Sequence, residues 1–170
     1  MLERLSENAR TWVYVSSNRL SQEQQSSLLK RLDSFIDSWT SHGRPVTAAC
    51  EIVHNYALIV AASISEDEIN AGVSGCGIDK LQNVVDRAEE DLGIKWVEPL
   101  TILFRDKTGQ FSGASRSEFR SMFATGDVDA ETAIFDTTLS TLREVRAHGV
   151  LRPVAETWLA HVPARHRATA

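Results

Sequence analysis

A chain of 170 residues, 42% hydrophobic and 24% charged, has the composition of one folded domain with a sizeable core, or of a domain with an appendage. Its formal net charge of −5 gives no electrostatic footprint for a phosphate backbone, so nucleic acid is not an expected partner. No apolar run is long enough to span a membrane. The first ten residues, with Glu3, Arg4, Glu7 and Arg10, lack the apolar centre of a signal peptide, so a cytoplasmic location is expected.

Cys50 and Cys76 are far apart and form no CxxC pair, and the five histidines are scattered. Free thiols are expected, with no metal and no cofactor. The segment 11–16 (TWVYVS) is aromatic and β-branched, as a strand requires. Ser21 and Gln24 fit a capping box, and Leu28, Leu32, Phe35 and Trp39 then form an amphipathic stripe that predicts a helix to about Ser41. Gly43 and Pro45 end it, Gly43 as a left-handed cap, with His42 available to the last carbonyls.

Residues 45–54 alternate loosely, Asn55 and Tyr56 suggest a turn, and 56–64 (YALIVAASI) read as a central strand buried on both faces. An acidic loop with Glu66, Asp67 and Glu68 follows, read as solvated. Ile78, Leu81, Val84, Val85, Ala88 and Leu92 mark a second helix that stops at Gly93, and 99–104 (PLTILF) a fourth strand. Residues 105–115 read as a polar loop. The remainder reads as helical, with Ser115 or Ser117 capping a segment with Phe119, Met122 and Phe123, and Asp129 capping one with Ile134, Phe135, Leu139, Leu142 and Val145. A last short segment carries Trp158 and Leu159. From Arg143 onward five arginines stand against Glu144 and Glu156, so the tail is basic on an acidic body.

The order strand, helix, strand, strand, helix, strand is that of an α+β, ferredoxin-like split βαβ fold, followed by C-terminal helices. The expected division is an N-terminal extension (1–10), a ferredoxin-like core (11–106) and a helical segment (107–170) that covers the core or a partner. In this topology the His42–Gly43 turn, the Ser74–Gly77 turn and the strand exit at Arg105 and Asp106 share one edge of the sheet.

That edge is the candidate site: Ser74, Gly75, Cys76, Gly77, Asp79 and His42. A helix N-terminus offers free N–H groups and partial positive charge, and glycines let an anion approach the backbone. A cysteine there gains thiolate character, and His42 would serve as its base. The plainer reading is a tight turn in which Cys76 packs as a small hydrophobe and Asp79 complements the dipole in the first turn. The turn is no nucleotide loop: no glycine is followed by lysine, and Lys80 stands where a dinucleotide fingerprint needs its third glycine.

The segments Trp39-Thr40-Ser41-His42-Gly43, Ser74-Gly75-Cys76-Gly77-Ile78-Asp79 and Thr132-Ala133-Ile134-Phe135-Asp136, with Pro153 to Trp158, resemble a family of small uncharacterised bacterial proteins often labelled "ABC transporter ATPase". The resemblance runs from about Trp12 to Trp158, with Gly77 where the family pattern has serine. Despite that label ATP hydrolysis is not expected, since no glycine is followed by a phosphate-binding lysine. The expected function is a non-enzymatic ligand-binding or protein-interaction module, with a small anionic ligand and a second copy of the chain as partners. The alternative is a thiol-dependent enzyme or redox sensor using Cys76 with His42.

Overall fold

The computed structural model describes residues 2–64 and 73–161. The chain is mixed α and β with antiparallel sheets, and it divides into two compact units. The first comprises residues 1–96 and 137–147, the second residues 97–136 and 148–170.

The first unit is built on a three-stranded sheet ordered β1–β5–β4, with β1 Arg10–Val15, β4 Thr47–Val53 and β5 Ala57–Ser63. Both pairings are antiparallel, with Trp12 opposite Val60 and Cys50 opposite Val60. The central strand β5 is the apolar run read from the sequence, and its first six residues are buried. A strand apolar on both faces needs no solvated side, so the middle position, with a neighbour on each edge, falls to β5.

Helices α1 (Gln22–Ile36) and α2 (Gly75–Leu92) pack on one sheet face. Leu28 and Leu32 of α1 and Leu81, Val85 and Ala88 of α2 join Cys50, Leu58, Val60 and Ala62 in one core. Ser21 caps α1 with the expected box: its hydroxyl accepts from Gln24 N–H and the Gln24 side chain accepts from Ser21 N–H.

The helix ends five residues earlier than the apolar stripe suggests. Asp37 is its C-cap, and Trp39 is buried outside it. Gly43 is therefore not a helix cap, and His42 does not reach the last carbonyls. Both residues form the two-residue loop of a small hairpin, β2 (Thr40–Ser41) paired with β3 (Arg44–Pro45). Their φ values of 52° and 77° are what a type I′ hairpin turn demands. His54 and Asn55, at φ 56° and 60°, make the equivalent turn between β4 and β5.

Residues 2–9 are no loose extension. Leu2, Leu5 and Ala9 are buried, and Arg146 donates to the carbonyls of Leu2 and Leu5 at 2.8 and 3.0 Å. Leu142 N–H donates to Ala9 O at 3.0 Å.

The second unit holds a four-stranded antiparallel sheet ordered β7–β6–β8–β9: β6 Thr101–Arg105, β7 Phe111–Ser115, β8 Ala133–Phe135 and β9 Leu151–Pro153. The strand read at 99–104 thus forms, but in this sheet rather than beside β1. In the first unit the outer side of β1 is met by single antiparallel bridges, Ser16 to Trp96 and Arg10 to Thr141.

The segment 107–170 is not simply helical either. Asp106 folds the connection into a tight turn by accepting from Thr108 N–H and Gln110 N–H, which returns the chain as β7. Ile134 and Phe135 lie in β8, and only Leu142–His148 (α4) of that predicted helix is helical. Short apolar runs fit either period, and pairing with β6 decides for strand. The helix at Phe119 is as expected: α3 spans Arg116–Thr125 with a Ser115–Glu118 capping box. The acidic residues Glu66, Asp67 and Glu68 and the basic tail beyond His161 lie outside the described residues.

Candidate functional site

The Trp39–Pro45 hairpin and the start of α2 are brought together, as the topology requires. The Ser41 hydroxyl accepts from Ser74 N–H at 2.9 Å, and Ser41 is buried. Ser74 is the N-cap of α2, and its hydroxyl accepts from Gly77 N–H at 3.2 Å. The capping hydroxyl is therefore supplied three residues before Gly77, and position 77 needs none.

Gly77 has a different reason to be glycine. It is buried, and a Cβ there would sit 2.8 Å from Trp39 Nε1 and 3.3 Å from Val73 Cγ1. The Trp39 indole N–H is itself buried and has no hydrogen-bond partner. At Gly75 a Cβ would meet nothing within 4 Å, so only the second glycine is a packing requirement.

The proposed chemical residues are distributed unevenly. Cys76 is exposed, which overturns its packing as a small hydrophobe. His42 is exposed on its hairpin loop, and no hydrogen bond joins it to Cys76 among the described residues. Asp79 is exposed and lies beyond the first turn of α2, which contains no acidic residue, so it does not complement the helix dipole as expected. Arg105 and Asp106 belong to the second unit.

Cys50 is the buried thiol. Its Sγ lies 3.9 Å from Asp33 Oδ1, and burial, then the Asp33 carboxylate, push its pKa up to about 12. A thiol held protonated is a poor nucleophile, so Cys50 is inert core.

A cleft lies alongside this junction. It has a volume of about 290 Å³ and lies between the end of α1 and the exposed side of α2. Phe35 and Trp39 form one wall, with ring centroids 4.8 Å apart. Lys80, Asn83, Val84 and Arg87 form the other, at the 3-, 4- and 7-residue steps that line one helix face. Neither Lys80 nor Arg87 has an ion-pair partner among the described residues. The signal was present in the sequence as Lys80, Asn83 and Arg87, but Phe35 and Trp39 read there only as core.

The second unit has a depression lined by the charged residues Arg105, Asp106, Lys107, Asp127, Asp129 and Glu131. Its groups are largely committed to their own loops. Hydrogen bonds from Thr108, Gln110 and Ser112 hold the Asp106 carboxyl below its usual pKa, and Lys107 donates to Gly126 O at 2.7 Å. Asp129 accepts from Glu131 N–H and the Thr132 hydroxyl. Among the described residues no cluster of His, Cys, Asp and Glu is arranged to hold a metal ion, and no helix is long and apolar enough to cross a membrane.

The fold and junction thus define an α+β protein with a helix-lined cleft. Compared with known proteins, the chain matches no family model, no curated protein and no solved structure.

Proposed function

We propose that the protein is a non-enzymatic ligand-binding module whose ligand site is the cleft between Phe35, Trp39 and α2. The observation that carries this reading is the pair of cations, Lys80 and Arg87, without an ion-pair partner among the described residues, on the wall of a concave site with an aromatic side. The first unit is read as a split βαβ sheet whose fourth strand is reduced to the Ser16–Trp96 bridge; the order β1–β5–β4 and the two helices on one face support this. The resemblance to the small bacterial family belongs to the same reading, with Ser41 and Ser74 as the contact between its two turns. Two free thiols, one of them exposed, suit a reducing cytoplasm.

A second copy of the chain is the proposed protein partner. Support comes from β4, an edge strand of seven residues without proline or lysine to blunt it. Sedimentation that shows only monomer at high concentration removes this part of the reading.

The test of the main reading is a thermal-shift panel of small organic anions, neutral analogues and metal ions on the full chain. A ligand that binds only the folded state raises the melting temperature in proportion to its occupancy. No shift with any anion sinks the reading.

One observation favours the thiol alternative: Cys76 is exposed in the first turn of α2. Iodoacetamide alkylation followed against pH decides it. A Cys76 thiol pKa at or above the ordinary ~8.5 removes that alternative.

A further inference from the structure

We infer that the cleft along α2 takes a small organic anion with a flat apolar body, its charged group between Lys80 and Arg87 and its body against Phe35, Trp39 and Val84. This inference rests on the ligand-binding reading above and adds the chemical class of the ligand.

Helix α2 carries five carboxylates, Asp79, Asp86, Glu89, Glu90 and Asp91, and two cations, Lys80 and Arg87. Both cations line the cleft and none of the carboxylates does. Asp91, one turn beyond Arg87, is engaged by Arg31 at 2.8 Å, and Asp86 accepts from Gln82 Nε2 at 2.7 Å. An acidic helix on an acidic chain therefore presents a locally cationic wall, with nothing among the described residues to neutralise it.

Lys80 and Arg87 stand about 10 Å apart along the axis, two turns, with Asn83 between them. Their long side chains converge on a group placed near Asn83, where a guanidinium grips two oxygens at once and an ammonium adds a point charge. The facing wall is the half-buried Phe35 ring with the edge of the buried Trp39, so a bare ion would leave it wet. A neutral aromatic would leave both cations unused. The cleft, at about 290 Å³, lies at the small end of ligand sites, which suits a single ring or short chain. Carboxylates and phosphate esters share this chemistry.

The full chain is titrated with phenyl phosphate, phenylacetate, inorganic phosphate and benzyl alcohol, and binding is followed by ¹H–¹⁵N NMR at the Trp39 indole and the amides of Lys80, Asn83 and Arg87. Saturable shifts confined to these signals are expected for the two aromatic anions, and the tighter of them identifies the anionic group. Lys80→Ala and Arg87→Ala are each expected to weaken binding about tenfold, or ~1.4 kcal/mol, while Lys80→Arg retains it. Both side chains are exposed, so these variants keep the fold. Inorganic phosphate as tight as phenyl phosphate overturns the apolar body. Benzyl alcohol as tight as the anions, or unchanged affinity in both alanine variants, overturns the anion class and leaves the cleft as a ligand site. No shift with any probe, or shifts elsewhere, overturns both readings.

Discussion

The first unit buries the Trp39 indole N–H with no acceptor, and the second buries the Arg152 side chain with its Nε–H in the same condition. Around Arg152 the charge is answered. Asp136 Oδ2 lies 3.6 Å from one guanidinium nitrogen, and the other donates to the Glu156 carbonyl and lies 4.0 Å from its carboxylate. One unmet N–H there is a minor fault in a compensated pair. Around Trp39 no charge answers. The indole sits hard against the Gly77 backbone, so close packing has displaced a hydrogen bond, at a cost of order 1–3 kcal/mol for an orphaned donor. Arg152 is thus held by charge and Trp39 by shape, the latter beside a cleft whose two cations have no ion-pair partner among the described residues.

The largest loss of stability is expected for Asp136→Ala. Without Asp136 the buried guanidinium keeps only the exposed Glu156 carboxylate at 4.0 Å, so a loss of about 3 kcal/mol in urea unfolding is expected, the low end for a broken buried pair. The double variant Asp136→Leu/Arg152→Met should lose less than Asp136→Ala alone, and equal losses would show that the pair is not what holds this part of the second unit.

Gly77→Ala comes next. The added Cβ meets the indole at 2.8 Å, and overpacking of this kind costs about 1–3 kcal/mol. The loss should shrink in a Trp39→Phe background, which has no Nε1, and Gly75→Ala should cost nothing by clash. Similar melting temperatures for the Gly77 and Gly75 variants would remove the shape argument.

Ser74→Ala deletes the hydroxyl that caps α2, with an expected loss of ~1 kcal/mol. Ser41→Ala deletes the acceptor of Ser74 N–H, for a loss of similar size. If their sum equals the loss in the double variant, the two turns are independent; coupling would show as a smaller combined loss.

The smallest effect at neutral pH appears only in alkali. Burial, then Asp86, raises the Tyr14 hydroxyl from 10.0 to about 12, and burial, then Asp33, raises the Cys50 thiol from 9.0 to about 12. Above about pH 9 the unfolded chain releases these protons while the folded chain retains them. Stability therefore falls as pH rises toward 12 and is unaffected by these groups below about 9. Tyr14→Phe with Cys50→Ala should flatten the alkaline limb of a stability–pH curve, and an unchanged limb would show that neither group is desolvated.

Much of the first unit was legible because its signals are local. The Ser21–Gln24 capping box, the apolar run of β5 and the Gly93 stop each need only neighbours in sequence to form. The meeting of the two turns was also legible, since topology alone places them on one edge. The helix at Ile134 and Phe135 was misread because three residues carry no period, and their pairing with β6 and β9 is made across long stretches of chain.

The sequence by itself determined an α+β chain, the helix entry at Ser74 and the β4–β5 hairpin, because capping, hydrophobic period and tight turns act over a few residues. Tertiary structure alone decided that the strand at Thr101–Arg105 joins the second sheet and that residues 137–147 return to the first unit. It alone set Gly77 against the Trp39 indole, exposed Cys76 and left Lys80 and Arg87 lining a cleft. The reason is physical: these facts depend on which distant surface a side chain meets, and burial, clash and charge compensation exist only once that surface is in place.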